Sequence, residues 1–156
     1  MSPRRRYAGD AGGAGGCLRL AILAAALLLP RALPAGEAVL RVIVHPSRAG
    51  TLSVADVRAI YLKQKRYWPD GQTIVPINRE SGSDARERFS NAVFGQGSRR
   101  MADYWNRRNF DAGEFPPATL ASDDAVVRFV AVTPNAVGYV SDVADVDAVA
   151  VALVVP

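Results

Sequence analysis

Two residue types that carry much of enzyme chemistry are almost missing from this chain, which has one cysteine, Cys17, and one histidine, His45. Cys17 falls in an N-terminal stretch that reads as a removable leader. The remainder then has no thiol for a disulfide, a thiolate metal ligand or a nucleophile. His45 stands beside Pro46 at the end of an apolar run, a loop position with no nucleophile pattern around it. H-E-x-x-H, G-x-S-x-G and P-loop spacings are all absent. Asp142, Asp145 and Asp147 lack the glycine spacing of a calcium loop and read as a solvated turn. No catalytic residue, metal ligand or cofactor is expected, and the chain reads as a binding or structural protein rather than an enzyme.

No apolar run reaches the length of a membrane span, and an N-terminal membrane anchor is the alternative to the leader reading. Leu18 to Leu29 is apolar apart from Arg19, shorter than the roughly 20 residues a bilayer crossing needs. Arg4-Arg5-Arg6 precedes it, and Pro30, Pro34, Ala35, Gly36 and Ala38 follow, which completes the three parts of a secretory signal. Residues 1–35 are expected to be a signal peptide and residues 36–156 one exported domain. That domain would be periplasmic or secreted, and not integral to the membrane once the leader is removed. An excess of one charge is the last absence. Arg4, Arg5, Arg6, Arg19 and Arg31, five of the 19 Lys and Arg, lie in the leader with Asp10, one of the 15 acidic residues, so the remainder carries 14 of each sign. Neutralising phosphates needs a standing excess of Lys and Arg, so no nucleic-acid partner is expected. Arg99, Arg100, Arg107 and Arg108 read as a solvated helix face around Asp103.

What the remainder does contain is an alternation of strand-like and helix-like segments. Val39 to Val44 reads as a buried strand ended by His45-Pro46. Ser53 with Asp56 makes a capping box before Val54, Val57, Ile60 and Tyr61 at helical spacing. Pro69-Asp70-Gly71 signals a turn, and Thr73 to Ile77 a second strand in which Pro76 argues for an edge or a strand end. A helix over 84–94 should bury Phe89, Val93 and Phe94, and a next one, capped by Ser98, should turn Met101 and Trp105 inward. Residues 109–118 read as loop. Ser122-Asp123-Asp124 opens a fourth helix, and Val137 to Val140 and Ala148 to Val155 read as strands. The fold class expected is α/β, a mixed sheet covered by helices.

One stretch carries chemistry: Ile77-Asn78-Arg79-Glu80-Ser81-Gly82-Ser83-Asp84, between a strand and a helix. Backbone N–H groups at a helix start favour an anion, and Arg79 adds a full charge beside them. The same Ser81-Gly82-Ser83 also suits an ordinary turn and N-cap, and Arg79 a surface salt bridge with Glu80 or Asp84. Both readings stand at this point.

Leu52 to Leu62, Trp68-Pro69-Asp70-Gly71, Arg79-Glu80-Ser81-Gly82-Ser83 and Pro134 to Ser141 occur in an order that resembles the phosphate-binding proteins of bacterial ABC transporters. These belong to the type 2 periplasmic binding protein class. The resemblance spans roughly residues 39–145 and fits one lobe of the two-lobed proteins, as in short phosphate-binding-like relatives. It implies a solute-binding-like domain for phosphate or a similar oxyanion, linked to phosphate ABC transport. It further implies Arg79 as the charge clamp, Ser81 and Ser83 as hydroxyl donors, and Gly82 as the point of close backbone approach. Ser83 stands where the family carries threonine. A permease or an envelope protein is the partner this would bring. The competing expectation is a periplasmic scaffold or interaction module that keeps the lobe fold, with another protein or a second copy (a homodimer) on its open face.

Overall fold

In the computed structural model, which describes residues 39–156, five strands form one mixed sheet in the order β3-β2-β4-β1-β5. The expected signal peptide over 1–35 lies outside the described residues. The strands are β1 (Leu40–Val44), β2 (Val75–Arg79), β3 (Ala118–Leu120), β4 (Ala136–Ser141) and β5 (Ala150–Val155). β2 runs parallel to β3 and β4, whereas β1 is antiparallel to β4 and β5. Helices α1 (Val54–Tyr61), α2 (Asp84–Phe94), α3 (Ser98–Ala112) and α4 (Asp123–Val132) cover it. None of the described helices is long and apolar enough to cross a membrane.

The period-2 alternation of β1 and β4 sorts the core into two layers. Leu40, Val42, Val44, Val137 and Tyr139 meet Val57 and Ile60 of α1, Phe89 and Val93 of α2, and Met101 of α3. Ile43, Ala136 and Val140 meet Val126 and Val130 of α4 on the other face. Each such aliphatic side chain, fully buried, contributes about 1.5–3 kcal/mol. Gly138 allows α4 its close approach, since a Cβ there would lie 2.5 Å from Val126 Cγ1.

An aromatic cluster ties α1 and α2 to the sheet. Phe89 stacks on Tyr139 with ring centroids 3.8 Å apart, and Tyr61 tilts against Phe89 at 4.7 Å. The Tyr61 hydroxyl donates to the Ile77 carbonyl at 2.7 Å, and burial pushes its pKa well above the ordinary value. The capping box expected for α1 is present, with Ser53 and Asp56 bonded reciprocally. Trp68 packs the 69–71 turn and donates to the Asn135 carbonyl at 3.3 Å.

Four expectations need correction. β2 begins at Val75, two residues later than expected, and runs through Arg79. It is an interior strand and not an edge, whereas the other reading of Pro76, a strand end, holds, since Pro76 is the second residue of β2. Pro76 is tolerated there because pairing with β3 begins only at Ile77, so no ladder donor is lost on that side. Ser98 is the first residue of α3 and not its cap. Gly97 holds the cap position, and the Glu87 carboxylate receives the Ser98 N–H at 2.9 Å and its hydroxyl at 2.5 Å. The expected loop over 109–118 contains the last turn of α3, which ends on a left-handed Gly113, and the start of β3.

Candidate functional site

The carboxyl ends of β2, β3 and β4 lie along one edge of the sheet, because the three strands are parallel. Ligands of open α/β sheets bind outside such ends. The β2–α2 turn and the start of α4 meet there, at Arg79.

Arg79 closes β2 and is 8% exposed. Its Nη1 pairs with the Asp123 carboxylate, and Nη2 donates to the Ala121 carbonyl at 3.2 Å. Nε is buried and has no hydrogen-bond partner among the described residues. The backbone is held as firmly. The Arg79 N–H reaches the Tyr139 hydroxyl and Asn78 Oδ1, each at 3.1 Å, and its carbonyl accepts from Arg86 Nη1 at 2.7 Å. Tyr139 donates in turn to Asn78 Oδ1 at 2.5 Å, and burial pushes its pKa up to about 12, which keeps the hydroxyl a neutral donor. Asp123 is oriented from its far side by the Ser141 hydroxyl and by the Ser141 N–H at 3.2 Å.

Ser81 and Gly82 are exposed, and Gly82 takes φ +85°, a left-handed conformation that suits a residue without Cβ. Ser83 is the N-cap of α2. Its hydroxyl accepts from the Arg86 N–H at 3.3 Å and donates to the Glu80 carbonyl at 3.0 Å. The N–H groups of Ser81, Gly82, Asp84 and Ala85 make no hydrogen bond among the described residues. Glu80 Oε1 lies 3.9 Å from Arg79 Nη2, and Asp84 sits in the first turn of α2. The turn therefore offers open amide donors flanked by carboxylates, with a guanidinium behind them.

All four residues singled out in the sequence thus fall at one place, on or beside one turn. Their engagement differs. Ser83 acts as the cap, Ser81 and Gly82 face solvent, and Arg79 is held in an ion pair. Its closest partner is Asp123, 44 residues away, ahead of the Glu80 expected from the sequence. Sequence reasoning took Asp123 for a helix start only, gave Asn78 and Ser141 no role of their own within their motifs, and passed over Arg86. The one local signal was the polar Asn78-Arg79 pair ending an apolar strand.

No protein-family model matches the chain, and no curated protein matches it. Solved structures do. A protein from Clostridium perfringens, assigned as a phosphate ABC transporter substrate-binding protein and solved with bound phosphate, is 23% identical and superposes with a TM-score of 0.52 over 73% of this chain and 44% of its own. An ABC-type phosphate transport receptor from Vibrio cholerae is 18% identical with a TM-score of 0.58, over 73% of this chain and 45% of its own. PstS from Borrelia burgdorferi is 17% identical, with a TM-score of 0.53, 67% of this chain covered and 41% of its own. The fold is that of a periplasmic-binding-protein-like lobe. At these identities the likeness is one of fold, and the chain spans less than half the length of the structures it matches.

Proposed function

We propose that this chain is an exported, single-lobe binding domain that captures phosphate or a similar oxyanion at the β2–α2 turn and performs no bond-making. The observation that carries the reading is the set of open N–H groups at Ser81, Gly82, Asp84 and Ala85, at the start of an 11-residue helix beside Arg79. The partial positive charge of the helix start favours an anion there, while the Arg79 charge is balanced by Asp123. The fold shared with phosphate substrate-binding proteins supports it. The carboxylates of Glu80 and Asp84 favour an oxyanion that still carries a proton, because they can accept its O–H and would repel a fully ionised one. Phosphate at neutral pH meets that condition and sulfate does not. Residues 1–35 would direct export to the periplasm or the outside, and a phosphate ABC permease would be the transport partner.

The test is thermal unfolding of the protein with phosphate or sulfate at millimolar concentration. Phosphate should raise the midpoint, sulfate should raise it less, and Ser81→Ala with Ser83→Ala should reduce the phosphate effect, since the hydroxyls are lost and the amides remain. An unchanged midpoint for the wild-type protein would overturn the ligand part.

A second reading, an interaction module that has kept the lobe fold, is favoured by β5. Among the described residues this strand pairs only with β1, and Val151 and Val154 are exposed along it. Open strand edges of this kind invite pairing with another chain. Light scattering separates the two. A monomer that binds phosphate supports the receptor, and a dimer indifferent to phosphate supports the module.

A further inference from the structure

A cavity of about 490 Å³ opens between α1, the α2–α3 turn and α3, and no residue of the β2–α2 turn lines it. Its apolar wall is Leu62, Phe94, Met101 and Tyr104, and three arginines, Arg58, Arg100 and Arg107, line it from two helices. Arg48 is paired with Asp70, Arg66 and Arg108 with Glu114, and Arg79 with Asp123, whereas Arg41, Arg88, Arg99 and Arg128 make no ion pair among the described residues but do not line this cavity. Arg58, Arg100 and Arg107 have no carboxylate within ion-pair distance among the described residues. Among the described residues their side chains make one hydrogen bond, a weak one from Arg107 Nε to the Asp103 carbonyl at 3.4 Å. Asp103 is the one acidic residue lining the cavity and pairs with none of them. Arg100, Asp103 and Arg107 are exposed on α3, as the sequence reading had them, and the fold brings Arg58 of α1 to the same cleft.

We propose that this cleft binds a small organic anion carrying an aromatic or aliphatic body. Its volume falls within the range of small-ligand sites, about 300–1,000 Å³. Unpaired guanidiniums offer forked donors to a carboxylate, sulfonate or phosphate group. The Tyr104 ring and the Met101 side chain give the rest of the molecule an apolar surface to cover. An inorganic anion would use the arginines and leave that surface wet, whereas a neutral body would leave the charges unmet.

The probe is 8-anilinonaphthalene-1-sulfonate, titrated into the full chain by fluorescence and calorimetry. One-to-one saturation is expected, weakened by about tenfold or more in Arg100→Gln/Arg107→Gln, as for the loss of charge-assisted hydrogen bonds. Arg99→Gln removes one positive charge from the same helix outside the cleft and should leave binding unchanged. Asp103→Asn, which deletes the lone carboxylate, should tighten it. N-phenyl-1-naphthylamine, the neutral body alone, should bind more weakly, and inorganic sulfate should not displace the probe at equal concentration. Equal weakening by Arg99→Gln, equal binding of the neutral analogue, or displacement by sulfate would each overturn the proposal.

Discussion

The β2–α2 turn and the α1–α3 cleft both present arginine, and they use it in opposite ways. At the turn Arg79 is buried, paired with Asp123 and bonded through its own backbone to Tyr139 and Arg86. In the cleft Arg58, Arg100 and Arg107 are exposed and lack carboxylate partners among the described residues. The first arrangement makes a charge part of the architecture, so that the open groups around it are amides. The second leaves the charges themselves open. A buried charge is costly without its partner, and an exposed one costs little either way. Stability measurements should therefore separate the two regions before any ligand is tried.

The largest effect is expected at the turn. Asp123→Ala leaves the Arg79 guanidinium buried without its carboxylate and should cost about 3 kcal/mol in denaturant unfolding. A loss below about 1 kcal/mol would mean that Arg79 relaxes into solvent, and the contrast with the cleft would fail. Gly82→Ala keeps the charges and strains only the backbone, at φ +85°, and should cost about 1 kcal/mol. Arg100→Gln/Arg107→Gln should change stability by no more than about 0.5 kcal/mol, since exposed side chains away from special features behave so.

How much of this was legible beforehand follows from the range of each interaction. The Ser53–Asp56 capping box, the helical spacing of Phe89 and Val93, and the apolar run of β4 are local, and each element formed where its pattern lay. β3 was not legible. It has three residues, none of them buried, preceded by Pro116-Pro117, and it is a strand only because β2 offers an edge at Ile77. The last turn of α3 was hidden because the glycine and prolines of 113–117 made the whole stretch read as loop, whereas the helix runs on, with Phe110, Asp111 and Ala112 exposed, to a left-handed cap at Gly113. At the candidate site the turn and its residues could be found from Ser81-Gly82-Ser83 following a strand. The Arg79–Asp123 pair could not, because nothing local links residues 44 apart. The convergence of Arg58 with Arg100 and Arg107 is invisible for the same reason.

An intermediate case sharpens the comparison at its small end. Asp56 is paired like Arg79 but half-exposed, with its carboxyl held down to about 2 by hydrogen bonds from Lys65 and Ser53. A depressed folded-state pKa gives stability that is present above the ordinary value of 3.8 and lost as pH falls from there towards about 2. Solvent screening limits it to below about 1 kcal/mol. Wild type and Asp56→Asn should therefore differ modestly at pH 6 and converge near pH 2. A gap that persists in acid would assign the stabilisation to helix packing instead.

The most direct test of an oxyanion held by backbone amides is a phosphate titration followed by amide NMR of the labelled protein. The N–H signals of Ser81, Gly82, Asp84 and Ala85 should shift together and saturate, while those along β5 stay in place. Saturable phosphate binding that leaves these four signals unmoved would contradict the assignment of the turn.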